Sequence, residues 1–329
     1  MNHYQADPYN ALEAISEAQK IAFGPMLFQA SWCLRETGVL AYLETRGSRG
    51  APLADIAQAC QLSEYGAGVL LDMGLGGGLC YLSEEHYVLG RVGKYLLHDA
   101  MSRVNLDFTQ HVCYQPLAHL LDAIRQGTPA GLQVFGPWQT LYPHLSELPE
   151  EARRSWFAFD HFYSDWAFQQ AQDKVFGYEP RHLYDLGGNT GKWAIACARR
   201  DPALQVTILD LPEQLALARC NIEEAGLATR VHGHPVDLLQ AGPLPGEADI
   251  WWMSQFLDCF SEAEVTTILT RAARSMTADS RLYIMETFWD RQKFETAAYL
   301  EAYKEGTLLV EDTAKRLDMI EKHITVINE

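Results

Sequence analysis

The spacing of apolar residues changes character twice along the chain. Residues 10–45 carry apolar positions at helical spacing in "ALEAISEAQKIAF", and again with little polar relief in "MLFQASWCLRETGVLAYLE". A helix that is apolar on most of its surface needs partners on more than one side. A short helix is expected over Leu53–Cys60. Ser63 then has the chemistry of an N-cap for a second helix ending near Gly74. "GLCYL" and "HYVLG" read as two short strands around the acidic turn "SEE". Helix–turn–helix followed by a hairpin is a winged-helix layout. Residues 100–180 read as helical and aromatic-rich, punctuated by "QGTPAG" and "FGPWQTLYPHL".

From Leu183 the texture changes again. Short apolar runs ("HLYDLGG", "QVTILDLP", "RVHGHPVDL", "ADIWWMSQF" and "RLYIMETF") alternate with helical stretches such as "EQLALARCNIEEAGL" and "EAEVTTILTRAARSM". Strand–helix alternation predicts an α/β fold with a doubly wound, Rossmann-like parallel sheet. The expected organisation is a winged-helix-like module over 1–100, a helical linker and pocket region over 101–180, and a Rossmann-like domain over 181–329.

Ligands of such sheets sit at the carboxyl ends of the strands. At the first of these ends stands "DLGGNTGKW". Counted from Gly187, a dinucleotide fingerprint would need glycine at Asn189 and Lys192, and a phosphate loop would need Ser or Thr after Lys192, where Trp193 stands. Both patterns fail. What remains is an acid, Asp185, before a tight turn with glycines at 187, 188 and 191, which suits a ligand with a cationic group rather than a pyrophosphate. The second strand ends at Asp210, placed to accept hydrogen bonds from a ribose diol. The third strand is expected to end at Asp237, placed to accept from an exocyclic amine such as adenine's. Ribose, adenine and a positive charge without phosphate describe S-adenosylmethionine.

The set "DLGGNTG", "LDLP", "PVDLL" and "ADIWWMSQFLDCFSEAE", behind a winged-helix N-terminus, resembles the class I S-adenosylmethionine-dependent small-molecule O-methyltransferases over roughly residues 10–290. The resemblance implies that Asp185, Gly187 and Gly191 border the methionine moiety, with Gly188 in the same cofactor-binding turn. It likewise places Asp210 and Leu211 at the ribose, Asp237 and Leu238 at the adenine, and Ser254 near the cofactor. It implies S-adenosyl-L-methionine as cofactor, S-adenosyl-L-homocysteine as product, a homodimer through the N-terminal helices and a small aromatic substrate. "MSQFLDCFSE" is similar to bacterial enzymes of aryl polyene pathways, for which ring C-methylation of a phenolic head-group precursor is the alternative reaction.

The sequence departs from that family at one place that bears on mechanism. Where the family reads Lys-His-x-Leu-His-Asp-Trp-Ser, this chain has Ser254, Gln255, Phe256, Leu257, Asp258, Cys259, Phe260 and Ser261. The family's general-base His falls on Asp258, its neighbouring Asp on Cys259 and its Lys on Ser254. A phenol titrates near ~10, an imidazole near ~6.5 and an ordinary Asp near ~3.9, so Asp258 is the weaker base. Three alternatives stay open. Asp258 acts with its pKa raised by burial and with help from Glu286; or His161 or His111 supplies the base; or the site works by proximity alone, or as an inactive cofactor-binding homologue. In the aromatic segment, Phe159, Phe162 and Tyr163 fit core packing and a wall for a flat aromatic substrate equally well. After residue 291 the chain offers "QKFETAAYLEAYKEG", "EDTAKRLDMIEKH" and one apolar run, "ITVIN". The family pattern leads to two further strands, so an altered or truncated C-terminus with an open sheet edge is expected.

Composition narrows the partners. Lys and Arg total 26 against 43 Asp and Glu, a net charge of −17, which disfavours nucleic acid and anionic lipid. The second helix of the helix–turn–helix, "SEYGAGVLLDMG", has no basic residue at all, so DNA reading is not expected. The 7 cysteines are scattered without a Cys-x-x-Cys pair, which argues against a zinc site and a disulfide framework; no metal is expected. No apolar run reaches the ~18 residues of a membrane span. "MNHYQADPYN" lacks the layout of a secretory signal. A cytoplasmic location is expected.

Overall fold

The computed structural model describes residues 7–165, 167–286 and 324–327, apart from the side chains of residues 163 and 324–327. The helices expected within 292–323 lie outside the described residues. The chain divides into two compact units at Tyr114 and Gln115, a boundary that falls inside the helical segment 101–180.

The N-terminal unit begins with helix α1 (Ala11–Glu36). Asn10 accepts from the backbone of Leu12 and Glu13, and Glu13 reaches back to the Asn10 N–H, a reciprocal capping box. Next come α2 (Val39–Arg46), α3 (Leu53–Ala59) and α4 (Glu64–Gly76). The antiparallel hairpin of β1 (Cys80–Ser83) and β2 (His86–Leu89) follows, then α5 (Arg91–His98) and α6 (Ala100–Phe108). The winged-helix layout is therefore present. Ser63 caps α4 by accepting from the Gly66 N–H at 3.0 Å. The helix does not stop near Gly74; that glycine is buried against Leu34 and Cys80, and the chain leaves the helix only at Gly77 and Gly78. Leu34, Leu40, Leu43, Ile56, Leu71 and Leu89 form the core. The first half of α1 is different: Leu12 and Ile21 are each 79% exposed, and Ile15, Phe23 and Met26 also face outward.

The second unit contains α7 (Leu120–Gln126), α8 (Glu150–Asp165) and α9 (Phe168–Val175), followed by the predicted alternation. This runs β3 (His182–Leu186), α10 (Lys192–Arg200), β4 (Gln205–Asp210), α11 (Pro212–Glu224), β5 (Val231–Pro235), β6 (Ile250–Ser254), α12 (Glu262–Ser275) and β7 (Arg281–Met285). The run "ITVIN" supplies β8 (Ile324–Ile327). The sheet has 6 strands in the order β5-β4-β3-β6-β7-β8, every pair parallel. This is the expected Rossmann-like, doubly wound parallel architecture.

Strand residues alternate between two cores, as a sheet covered on both faces requires. Trp252 packs on one face with Leu183, Ile208, Trp193 and Tyr283; Trp251 packs on the other with Tyr184, Leu186, Met253 and Ile284. The Trp252 and Trp193 rings stack at 4.0 Å, clamping α10 to the sheet. From β3 the chain winds outward through β4 and β5, then returns to the opposite side of β3 as β6. That reversal opens a crevice beyond the carboxyl ends of β3 and β6.

Candidate active site

The crevice is framed by two turns. The first follows β3, where Gly187 (φ +69°), Asn189 (φ +48°) and Gly191 (φ +76°) all adopt left-handed backbone. At Gly187 a β-carbon would lie 2.2 Å from the Phe256 ring, and at Gly188 it would lie 2.7 Å from Asp185 Oδ2. The chain therefore has no room for side chains at the point where a ligand would meet its backbone. Asn is the non-glycine residue that best tolerates this conformation. Asn189 is held there twice, its N–H donating to Asp210 Oδ2 at 2.8 Å and its side-chain amide to Asp160 Oδ2 at 3.2 Å. Neighbours on α8 continue the clamp: His161 Nε2 lies 3.3 Å from the Thr190 hydroxyl, and Asp165 accepts from Lys192 Nζ at 2.9 Å. Burial pushes the Asp165 carboxyl up, but its bonds to His161 and Lys192 prevail and hold it below the usual range.

Two carboxyls lie behind this turn. Asp185 is only 2% exposed, and its Oδ2 is buried without a hydrogen-bond partner. Burial, reinforced by Asp210 and opposed by the Ala194 N–H, pushes its pKa up to about 8. Asp210 is pushed up to about 6 by burial, against the N–H groups of Asn189 and Leu211 that it accepts. An acid this desolvated, with an oxygen still unbonded, is matched to a ligand that brings a positive charge or donors.

The second turn follows β6. Ser254 Oγ is buried without a partner. Gln255 adopts φ +45° while donating to the Met285 carbonyl at 2.9 Å. Glu286 Oε1 accepts from the N–H groups of Phe256 (3.0 Å) and Leu257 (2.8 Å), fixing the short helical turn Leu257–Cys259. Asp258 projects from that turn, and its Oδ1 receives the Cys259 thiol at 3.3 Å. Phe256 and Phe260 pack edge-to-face at 4.9 Å. Ser261 and Glu264 then form a capping box that starts α12.

The residues expected from sequence are thus partly assembled. Asp185, Gly187, Gly188, Gly191, Asp210 and Ser254 surround the mouths of β3, β4 and β6, and Asp258 and Glu286 belong to the adjoining turn. Asp237 and Leu238 lie just past β5, where Asp237 Oδ1 accepts from the Leu239 N–H at 2.9 Å and Arg271 of α12 donates to both their carbonyls. His161 sits against the glycine turn. His111 lies in the N-terminal unit, edge-on to Trp32. Phe159 is buried and Phe162 partly so; the side chain of Tyr163 lies outside the described residues. Sequence reasoning missed Asn189, Asp160 and Tyr142, and it did not foresee Phe256 against the Gly187 backbone. Only Asn189 had a signal, as an Asn between glycines in a tight turn. Among the described residues no group of His, Cys, Asp and Glu is placed to hold a metal ion.

Comparison with known proteins agrees with this geometry. Residues 171–315 match the O-methyltransferase domain and residues 16–87 a Dimerisation2-like domain. Aclacinomycin 10-hydroxylase RdmB of Streptomyces purpurascens is 31% identical over 196 residues, covering 57% of this chain and 50% of that protein. L-tyrosine C(3)-methyltransferase of Streptomyces lavendulae is 25% identical over 271 residues, 81% of this chain and 73% of that one. The chain thus spans half the length of the first of these relatives and about three quarters of the second. The crystal structure of the S-adenosylmethionine-dependent methyltransferase SibL in its apo form superposes with a TM-score of 0.67 at 26% identity, covering 88% of this chain and 85% of that one.

Proposed function

The chain belongs to the class I S-adenosylmethionine-dependent O-methyltransferases that carry an N-terminal dimerisation domain, and from that premise we propose that it transfers a methyl group from S-adenosyl-L-methionine to a hydroxyl of a small aromatic substrate, leaving S-adenosyl-L-homocysteine. The observation that carries the reading is Asp185: a buried carboxyl with one unbonded oxygen, behind a turn whose backbone a ligand can touch, at the switch point of the sheet. The residues present fit the cofactor. Asp185 holds negative charge toward its methionine end, the turn Gly187–Gly191 gives it backbone contact, and Ser254 Oγ offers a buried hydrogen-bonding atom beside it. Asp210 keeps lone pairs for the ribose after accepting its two N–H groups, and Asp237 with Leu238 borders the adenine.

The bound cofactor supplies an electrophilic methyl group on a sulfonium. The chain must exclude water, align the acceptor oxygen and take its proton. Leu257, with Phe256 and Phe260 packed beside it, belongs to an apolar cluster in the turn that carries Asp258, which favours exclusion of water there. The Asp258 carboxylate accepts the proton as the forming O–C bond acidifies the hydroxyl, and contributes as a general base in the transition state. Glu286 acts one step removed, holding the turn by two backbone N–H groups. His161 belongs to the clamp on the glycine turn, which positions the cofactor rather than the acceptor. Phe159, buried, and Phe162, half-buried, on α8 are the candidates for the acceptor side.

We also propose a homodimer through the exposed apolar face of α1 and a cytoplasmic location; among the described residues no helix is long and apolar enough to cross a membrane. Calorimetry with S-adenosyl-L-homocysteine and turnover of methyl-labelled cofactor on a panel of phenols test the reading, with the methylated atom identified by NMR of the product. Absence of binding heat would remove it. A product methylated on ring carbon would replace O-methylation with C-methylation at the same site.

A further inference from the structure

One residue that sequence reasoning passed over joins the two halves of the site. Tyr142 opens a short helical segment (Tyr142–Glu147) far from the glycine turn in sequence. Its hydroxyl donates to Cys259 Sγ at 2.6 Å, and that thiol donates onward to Asp258 Oδ1 at 3.3 Å. Its carbonyl accepts from the side chain of Gln214 at 2.9 Å, and Gln214 is buried in the first turn of α11, directly after Asp210 and Leu211. Trp156 of α8 packs edge-on against the ring at 6.2 Å. Tyr142 is thus tied on one side to the turn that carries Asp258 and on the other to the loop assigned to the ribose.

We propose that Tyr142 is a positioning residue that aims the Asp258 carboxylate at the acceptor through the Cys259 thiol. The inference rests on the reading of Asp258 as the base. A carboxylate that replaces an imidazole has a shorter reach and two equivalent oxygens, so its aim needs fixing from outside its own turn. The directed chain from the Tyr142 hydroxyl through the Cys259 thiol to Oδ1 does so. Desolvation first, then the nearby Cys259 and Asp258, raise the Tyr142 hydroxyl well above its ordinary value, so it remains a donor at any working pH. Asp160, the partner of Asn189, adds to that shift from α8.

Methyl transfer from labelled S-adenosylmethionine to the best phenol of a panel provides one test. Tyr142→Phe is expected to lower kcat about fivefold to tenfold, the size of one hydrogen bond, with KM and the calorimetric affinity for S-adenosyl-L-homocysteine within about twofold of wild type. Cys259→Ala should reproduce the loss, and Cys259→Ser, which keeps a donor, should restore the rate. In an Asp258→Asn background Tyr142→Phe should have no further effect. Wild-type kcat in Tyr142→Phe, or the same fold-loss in the Asp258→Asn background, overturns the proposal. A second measurement needs no acceptor: alkylation of Cys259 by iodoacetamide, followed by peptide mass spectrometry with the exposed Cys220 as internal control. Release from the tyrosine should change the Cys259 rate by about threefold or more, and an unchanged rate overturns the proposal. Missing heat with S-adenosyl-L-homocysteine in the wild type instead removes the methyltransferase reading, and the alkylation result still decides the role of Tyr142.

Discussion

Replacing Asp185 by Asn tests the electrostatics at the centre of the site. With a pKa of about 8 in the ligand-free protein, this carboxyl is mostly protonated at neutral pH. A ligand that brings positive charge needs the carboxylate, so at pH 7 it must displace about 0.9 proton, at a cost of about 1.4 kcal/mol. At pH 8 the cost falls to about 0.4 kcal/mol and by pH 9 it is close to nothing, so the dissociation constant should tighten about fivefold between pH 7 and 8 and level off above 9. Calorimetry with S-adenosyl-L-homocysteine in phosphate and in Tris, whose ionisation enthalpies differ, reads the released proton directly. The ligand's own amino group titrates in both proteins, so the difference between wild type and Asp185→Asn isolates the carboxyl. The variant should show that much less proton release and a flatter pH dependence. Identical buffer dependence in the two proteins would refute the argument.

The same shift fixes the sign of a stability effect. The folded pKa, about 8, lies above the ordinary 3.8, so between these values the native state holds a proton that the unfolded chain has lost. Stability of the ligand-free protein therefore falls as pH rises through that window, by about 1.4 kcal/mol per unit from this group alone. Asp185→Asn removes the slope. Its Tm relative to wild type should climb from pH 5 to pH 8, opposite to its effect on ligand affinity. A loss of stability from ordinary core damage would not vary with pH in this way.

Asp258→Ala should lower kcat on the best phenol about 10²-fold to 10⁴-fold while leaving calorimetric affinity for S-adenosyl-L-homocysteine nearly unchanged; a loss confined to affinity would move Asp258 to the cofactor side. Gly187→Ala places a β-carbon 2.2 Å from the Phe256 ring at φ +69°, so binding of S-adenosyl-L-homocysteine should be lost with a destabilisation of about 1–3 kcal/mol, and Phe256→Ala in the same chain should recover part of the stability by thermal melt. Leu12→Glu with Ile21→Glu, both on the exposed face of α1, should convert a dimer to a monomer in light scattering without lowering the melting temperature of the second unit; dimers that persist would place the interface elsewhere.

What could be read from the chain alone was whatever repeats locally or terminates a local pattern. The strand runs of the second unit were legible because both faces of its sheet are covered, which makes "ADIWWMSQF" continuously apolar; the structure only had to assign Trp251 to one core and Trp252 to the other. Of the acids read as strand ends only Asp210 is the last residue of its strand, since Asp185 stands just inside the end of β3 and Asp237 just past β5; the failure of the phosphate motifs was legible by counting. Gly74 has the look of a helix stop in the sequence, but it is a point of close packing and α4 runs on to Gly76. The charge state of Asp185 was not legible, since it depends first on burial and then on Asp210 from the next strand. Tyr142 was beyond reach for a sharper reason: its partner Cys259 lies 117 positions away, and neither residue carries a pattern that points to the other. Local signals therefore identify the elements proposed to hold the cofactor, because the acids and glycines of those elements stand at the ends of apolar runs. The groups that would aim the acceptor's proton come from segments that meet only in three dimensions. That difference explains why the proposed cofactor is better founded in the sequence than the proposed base, and why the substitution of Asp258 for a histidine becomes interpretable only once Tyr142 and Cys259 are seen beside it.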